Sequence, residues 1–290
     1  MKTYSKIIIA VLILVTGLVI VGCKNNNSEK EEYDRSVYEN IKKDGVIEVG
    51  YINYPPGFIV DPNSNEFSGI FQEVIEEIAR RNDLKINYKE PVSWATMIQD
   101  VELGRVDLIA NPVWATDARK KSADFTQPVY YSPIGVYVRE DDTRFDDDYS
   151  AINNSEVRIA AVQGEINNEI GEKDFPNANL DPFTDDVDVS QLFLEIKLGR
   201  KDVTFAEPMF AYDYIEKNPN TIKNIGKANP IRNYPNSFMI KKGETGLLNF
   251  LNTEIDAIVK DGTVEKILSK YVPFDGAVIL VTDSLAIEKQ

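Results

Sequence analysis

The chain contains no histidine, and its single cysteine is Cys23. The missing histidine excludes Ser-His-Asp catalysis, Cys-His catalysis and any metal site that depends on histidine. The solitary cysteine excludes a disulfide within the chain. Basic residues are also scarce, because 32 lysines and arginines stand against 47 acidic residues and give a net charge of −15. This charge argues against a nucleic-acid partner, and we predict neither a cofactor nor a metal.

A mostly apolar run near the N-terminus predicts a secretory signal. Lys2 and Lys6 precede an apolar stretch over 7–21, and Gly22 and Cys23 follow it. This order of a positive, an apolar and a small-residue region is that of a signal peptide. The run is shorter than the roughly 20 residues that a spanning helix needs, although an uncleaved membrane anchor is the alternative. Both alternatives place the protein outside the cytoplasm.

A short repeat predicts two similar lobes in this chain of 290 residues. The segment LGRVDL at 103–108 recurs as LGRKDV at 198–203, and each copy follows an amphipathic helix and begins a short apolar strand. The first strand is predicted to end at Asn111 and the second at Glu207. Ligands of α/β sheets bind beyond the carboxyl ends of the strands. We therefore predict two α/β lobes with a cleft between them, although a chance match of two helix-ending motifs is the alternative.

The segment 104–128 predicts a strand followed by a binding loop. The apolar run over 106–110 is typical of a buried strand. The following loop over 111–115 is predicted to present Asn111 and Trp114 just beyond the strand, where a ligand would lie.

Arg119 is the candidate for binding an anion. Thr116 lies three residues earlier and is a predicted helix N-cap. The planar guanidinium of Arg119 can donate two parallel hydrogen bonds to a carboxylate. The alternative is a surface ion pair between Arg119 and Asp117 or Asp124.

These motifs resemble the bacterial extracellular solute-binding proteins of family 3, the receptors of polar amino-acid ABC importers. The shared pattern is Gly-Arg-x-Asp at 104–107, Thr-x-x-Arg at 116–119 and Asp-Phe-Thr-x-Pro at 124–128. The resemblance covers most of the chain. It implies a two-lobed, periplasmic-binding-protein-like α/β fold, with the ligand cleft between the lobes and two crossover strands as the hinge.

The resemblance and the composition together divide the chain into predicted segments. They are a lipoprotein signal peptide over 1–22, the lipidated cysteine and a tether over 23–43, lobe one over 44–138 and 237–274, lobe two over 139–236, and a C-terminal tail over 275–290. An apolar run over 277–281 predicts an edge strand within the tail.

The resemblance also implies roles for individual side chains. Tyr54 and Trp94 match aromatic positions that contact the ligand, although a surface tyrosine and a core tryptophan are the alternatives. Glu207 matches the acid that holds the α-ammonium group of the ligand. Its alternative role is that of a first-turn acid in the helix that Pro208 begins. Gly164 lies in the loop that binds the ligand carboxylate in the family.

The sequence departs from the family where the ligand carboxylate is bound. Glu165 and Ile166 stand at positions that usually hold Ser or Thr, so hydroxyl groups are lost and a carboxylate is gained. Pro112 removes a backbone donor, and Trp114 replaces a hydroxyl by a ring. Three aromatic side chains are predicted to form a wall for a cation or a planar group: Tyr54, Trp94 and Trp114.

The resemblance implies a function in uptake. The residues IVGC at 20–23 resemble a lipobox, so we expect a lipoprotein that Cys23 anchors to the membrane on its extracytoplasmic side. A monomer is expected to close on a small polar ligand, chiefly an amino acid or another amine-bearing zwitterion, and to deliver it to the membrane permease of an ABC importer. One alternative is a dehydratase-like enzyme with Glu165 or Glu207 as its general acid. The other is a ligand sensor that docks on a signalling receptor.

Overall fold

The structure is a computed structural model, and it describes residues 36–89, 91–146, 148–184 and 187–283. The predicted signal peptide, Cys23 and most of the tether lie outside the described residues. The chain divides into two units, Met1–Asp44 and Gly45–Gln290. Helix α1 (Val37–Asp44) belongs to the first unit, and all other described elements belong to the second. Within the described ranges, no helix has the length and apolar character that crossing a membrane requires.

The helices of the second unit follow the apolar spacing of the sequence. They are α2 (Ile70–Arg81), α3 (Met97–Glu102), α4 (Asp117–Lys120), α5 (Ile166–Asp174), α6 (Val189–Lys197), α7 (Pro208–Lys217), α8 (Thr245–Lys260) and α9 (Thr263–Tyr271). Helix α2 buries Ile70, Val74 and Ile78 on one face, which is the 3.6-residue period that the sequence shows. The predicted cap of α4 is confirmed, because the hydroxyl of Thr116 accepts a hydrogen bond from the backbone N–H of Arg119 at 3.4 Å.

The strands are short except at the centre of the sheet. They are β1 (Val46–Gly50), β2 (Ile59–Val60), β3 (Phe67–Ser68), β4 (Lys85–Tyr88), β5 (Leu108–Trp114), β6 (Ala123–Phe125), β7 (Tyr130–Arg139), β8 (Arg158–Ile159), β9 (Asn179–Leu180), β10 (Val203–Ala206), β11 (Ile222–Asn224), β12 (Arg232–Lys241) and β13 (Ile279–Leu280).

Strands β7 and β12 connect the two lobes. The hydrogen-bonded order is β4-β1-β5-β12-β7-β10-β8-β9, with β6 on β12 and with β11 and β13 on β7. Lobe one contains β1, β4, β5, β6, β12 and β13; lobe two contains β8 to β11, and β7 pairs into both. Strands β7 and β12 are antiparallel, with Asn236 opposite Tyr130 and Arg232 opposite Ile134. The predicted two-lobed α/β fold is confirmed, whereas the exact lobe boundaries stay predictions.

The two copies of the sequence repeat have the same local structure. Their glycines share a φ of +66°: Gly104 and Gly199. The carboxylate of Asp107 accepts a hydrogen bond from the backbone N–H of Glu48 at 2.8 Å. The carboxylate of Asp202 accepts the equivalent bond from Arg158 at 2.9 Å. In each lobe the repeat therefore ties the start of one strand to the parallel strand beside it.

Strand β5 is longer than the sequence predicts. The expected loop over 111–115 is wrong, because the strand continues through most of it to Trp114. Pro112 lies within this strand although it lacks an N–H for the ladder. The pairing with β12 is irregular between Ser237 and Met239, so Pro112 lies in a bulge where no ladder bond is required.

The C-terminal tail adds a strand to the sheet, as its apolar run predicts. Strand β13 pairs with β7 in antiparallel register, with Ile279 opposite Tyr131. On the same strand, β10 ends with Ala206 opposite Gly135. The tail thus pairs with the crossover strand a few residues from the point where β10 ends.

Candidate functional site

Glu207 lies where strand β10 ends and helix α7 begins. Burial raises the pKa of its carboxyl group from 4.5 to about 7, although a hydrogen bond from the hydroxyl of Ser132 opposes this rise. The charge of Glu207 also raises the pKa values of Tyr54 and Tyr130. In both tyrosines burial is the larger cause of the rise. Among the described residues, no lysine or arginine forms an ion pair with Glu207. The site therefore holds a carboxylate that lacks a cationic partner.

A chain of hydrogen bonds leads from lobe one to Glu207. The indole N–H of Trp114 donates to Oδ1 of Asn236 at 3.1 Å, and Nδ2 of Asn236 donates to Oγ of Ser132 at 2.9 Å. Ser132 donates in turn to Glu207. Asn236 and Ser132 are only 1% and 2% exposed, so water does not compete for these bonds. The bonds between Trp114, Asn236 and Ser132 thus join both crossover strands beside Glu207.

An aromatic cluster lies beside Glu207 and includes residues of both lobes. The ring of Tyr54 contacts Trp94 at a centroid distance of 5.5 Å and Phe210 at 6.3 Å, both edge to face. Trp94 is 39% exposed, so the alternative of a core tryptophan is excluded. Phe210 is 42% exposed and follows Glu207 by three residues, which places both at the start of helix α7. Apolar ring surface thus remains open to a ligand next to the carboxylate.

Arg119 is held in lobe one by a backbone carbonyl group. Its Nη1 donates a hydrogen bond to the carbonyl oxygen of Trp114 at 3.1 Å. Partial burial lowers the pKa of Arg119, and the charge of Glu165 opposes this shift. Asp124 pairs with Lys242 instead. Within the described part of the chain no acid lies within ion-pair distance of Arg119, so the predicted alternative of a surface ion pair is wrong.

The loop after strand β8 brings Glu165 towards lobe one. Gly164 has a φ of +80°, and Glu165 is the N-cap residue of helix α5, but its side chain makes no capping hydrogen bond. Glu165 is exposed, and its charge acts on both Arg119 and Tyr54. Ile166 packs against the core of lobe two. Ile166 therefore has a structural role, whereas Glu165 presents a carboxylate to the solvent.

Trp114 lies apart from the predicted aromatic wall. Its ring stacks on Tyr234 at a centroid distance of 4.4 Å and an angle of 16°, and it packs against the core of lobe two. This placement corrects the predicted grouping of Trp114 with Tyr54 and Trp94. The physical reason is the longer strand β5, which carries Trp114 to the crossover strands. A ligand contact by Trp114 stays a prediction.

Asn111 is a buried residue inside strand β5. Its side chain is 0% exposed, accepts a hydrogen bond from the N–H of Ile52 and donates one to the carbonyl oxygen of the same residue, both at 2.8 Å. These bonds tie β5 to the segment after β1. The structure thus gives Asn111 a structural contact, and its ligand contact stays a prediction.

The sequence matches a known family over most of its length. The model of the bacterial extracellular solute-binding proteins, family 3, matches residues 47–274. The chain belongs to this family. Its match ends just before the tail strand β13, so that strand lies beyond the matched region.

Curated relatives of this family member are amino-acid- and cystine-binding proteins of ABC transporters. The L-cystine-binding protein TcyA of Bacillus subtilis is 27% identical over 269 residues, which cover 90% of this chain and 94% of the relative. The crystal structure of the L-cystine solute receptor of Neisseria gonorrhoeae, unliganded and open, has a TM-score of 0.63 at 23% identity and covers 84% of this chain and 99% of its own. The ancestral amino acid-binding protein AncCDT-1, a precursor of cyclohexadienyl dehydratase, has a TM-score of 0.61 at 24% identity, with coverages of 82% and 99%. The two structures support the fold.

Sequence reasoning missed three residues around Glu207. Phe210 has a visible signal, since it follows Glu207 by three residues in a helix and therefore lies on nearly the same face. Ser132 and Asn236 have no such signal in the sequence, because the two residues bind each other across a separation of 104 residues. Only the pairing of β7 with β12 brings them together.

Proposed function

We propose that the protein captures a small amine-bearing solute between its lobes and delivers it to the permease of an ABC importer. The observation that carries the proposal is Glu207, a half-buried carboxylate that forms no ion pair with a lysine or arginine of the described residues. Burial of an unpaired charge is unfavourable, and an ammonium group of the ligand would relieve that cost. The amino acids and cystine bound by the relatives are the leading class.

Capture would proceed by closure about β7 and β12. Lobe one supplies Tyr54, Trp94 and Arg119, and lobe two supplies Glu207 and the loop at Gly164. A ligand that contacts both groups of residues does so only when the lobes are closed. Ligand binding therefore shifts the population towards the closed state, which is the form that a permease would recognise.

The first test is thermal unfolding of the full-length protein in detergent against a panel of amino acids and amines. A ligand at about 100 times its Kd stabilises the folded state by about 2.7 kcal/mol. We expect at least one such ligand, and we expect Glu207→Gln to abolish its effect. Glu216→Gln is the matched control, because it removes an exposed acid from the same helix. A panel without any stabilising ligand would contradict the proposal.

Membrane attachment through Cys23 is a separate part of the proposal. It rests on the lipobox-like residues 20–23 and on the preceding apolar run. The wild-type protein should fractionate with membranes and incorporate labelled fatty acid at Cys23. Cys23→Ser should lose the label, whereas Ser28→Ala should keep it. Label on the Cys23→Ser variant would contradict lipidation at this position.

An enzymatic function is the second candidate, favoured by one observation. A carboxyl group with a pKa of about 7, as in Glu207, suits general acid catalysis near neutral pH. The ancestral structural neighbour described as a precursor of a dehydratase shares the fold. Chromatography of the ligand after prolonged incubation with the protein distinguishes binding from catalysis. A binding protein returns the ligand unchanged, whereas an enzyme releases a product at a rate that Glu207→Gln abolishes.

A further inference from the structure

The charged groups of the site do not match a zwitterion. Arg119 is the guanidinium on the side of lobe one, while Glu207 and Glu165 are both acids of lobe two. A zwitterionic amino acid would bring one ammonium and one carboxylate. Glu207 would hold the ammonium and Arg119 the carboxylate, which would leave the charge of Glu165 without a partner next to the ligand carboxylate.

The local fold gives the side chain of Glu165 no structural contact among the described residues. Its side chain does not cap helix α5. The turn that precedes the helix is fixed by Asn167, whose Oδ1 accepts a hydrogen bond from the backbone N–H of Val162 at 2.8 Å. Glu165 itself is exposed and forms no ion pair among the described residues. Its carboxylate is therefore available for a partner across the cleft.

The packing of the neighbouring residues brings the segment that carries Glu165 close to the segment that holds Arg119. Ile166, next to Glu165, packs against the same apolar cluster as Trp114. The carbonyl oxygen of Trp114 in turn binds the guanidinium of Arg119. Glu165 is also the acid whose charge acts on Arg119. The other N–H groups of the guanidinium have no hydrogen-bond partner within the described ranges, so they can receive a carboxylate from lobe two.

We propose that Glu165 supplies the carboxylate for Arg119 when the lobes close, so that the preferred ligand is an amine without an α-carboxylate. This inference rests on the proposed function and narrows its ligand class. A carboxylate that belongs to the protein competes at high effective concentration with that of a ligand. It also repels a ligand carboxylate at close range.

The remaining groups of the site suit such an amine. Once Glu165 and Arg119 offset each other, Glu207 is the charge that the ligand must neutralise, and one ammonium group does so. The exposed rings of Trp94 and Phe210 lie beside it and can contact the apolar part of the amine or its cationic end. No group of this set requires a carboxylate from the ligand.

Matched pairs of an amino acid and its decarboxylated amine test the inference. The pairs are tyrosine and tyramine, phenylalanine and phenethylamine, histidine and histamine, lysine and cadaverine, and arginine and agmatine. Calorimetric titration of the full-length protein should show that, in every pair that binds, the amine binds about tenfold or more tightly than its amino acid, since a difference of about 1.4 kcal/mol is expected for one unfavourable charge contact. A tighter amino acid in the pair with the highest affinity would overturn the inference and leave the proposed function intact. Absence of binding by all ten compounds would overturn the inference, whereas the proposed function is judged by the wider panel of the unfolding test.

A substitution at Glu165 provides the second arm. Glu165→Ser restores the hydroxyl that the family usually has and removes the competing carboxylate. We expect the preference for the amine to fall by about tenfold or to reverse in this variant. Glu156→Gln is the matched control, because it removes an exposed acid of lobe two at the opposite end of strand β8, and it should keep the preference. An unchanged preference in Glu165→Ser would show that Glu165 does not select the ligand.

Discussion

The two copies of the sequence repeat have the same backbone but opposite electrostatics. In lobe one, burial raises the pKa of Asp107 to about 6, and the nearby charge of Glu48 adds to the rise. In lobe two, burial acts on Asp202 in the same direction, but hydrogen bonds from Arg158 and Arg144 lower its pKa to about 2. The motif therefore specifies the backbone contact and not the stability of the charge.

The lobes also differ where the repeated strands end. Strand β5 continues for several residues and buries Asn111 inside the sheet. Strand β10 stops at Ala206, and the next residue is the unpaired Glu207. A shared scaffold thus ends in a structural amide in one lobe and, in the other, in a carboxylate that we propose as a binding group. The candidate chemistry follows from the residues beyond the repeat rather than from the repeat itself.

The largest effect is expected for Asp202→Asn. The substitution removes the buried carboxylate charge that accepts hydrogen bonds from two partly exposed arginines, and losing these charge-assisted bonds should cost about 3 kcal/mol of unfolding free energy. The lowered pKa means that Asp202 stabilises the folded state above pH 3.8, and that this contribution is lost as the pH falls towards about 2. Urea unfolding across this pH range should show that the free energies of unfolding of Asp202→Asn and of the wild type converge at the acid end. A loss that does not depend on pH would contradict the ion-pair explanation.

A smaller effect of opposite sign is expected from Glu207. Its raised pKa means that its contribution is complete below pH 4.5 and is lost as the pH rises to about 7. The free energy of unfolding should therefore fall by about 2 kcal/mol more in the wild type than in Glu207→Gln over this interval. Denaturant titrations of both proteins without ligand measure the difference. Parallel pH profiles would show that Glu207 does not carry the uncompensated charge.

Asp107→Asn is expected to have a still smaller effect at neutral pH. The amide oxygen can still accept the hydrogen bond from Glu48, so the loss should be about 1 kcal/mol or less. The raised pKa of Asp107 makes the wild type lose stability between pH 3.8 and about 6. Asp107→Asn should therefore lower the free energy of unfolding more at the acid end of this range than at neutral pH. The same urea series, compared with that of Asp202→Asn, should give pH slopes of opposite sign.

The smallest effect concerns a ring contact between the end of lobe one, just before the tail, and lobe two. The rings of Phe274 and Tyr212 stack at a centroid distance of 4.9 Å and an angle of 20°. A double-mutant cycle with both alanine variants should give a coupling of about 0.5 kcal/mol. The single alanine variants of Phe274 and Tyr212 should leave the opposite pKa shifts of Asp107 and Asp202 unchanged. A coupling near zero would show that this stacking does not link the two lobes.

The sequence predicts local features well and contacts between distant segments poorly. Helix α2 and the cap at Thr116 are confirmed, because both follow from neighbours within a few residues. The end of β5 was predicted wrongly, since the apolar run stops at Ala110 and no local pattern reveals the irregular pairing with β12 that accommodates Pro112. The hydrogen-bond chain from Trp114 to Glu207 depends on the pairing of β7 with β12, which no local pattern reveals.

The central claim is that a ligand closes the lobes by bridging them at Glu207. Spin labels on the exposed positions Lys121 and Lys217, in a Cys23→Ser background, measure the distance between the lobes. The tightest binder of the amino-acid and amine panel should shorten this distance, and Glu207→Gln should remove the change at the same ligand concentration. An unchanged distance distribution at saturating ligand would contradict closure as the mechanism of capture.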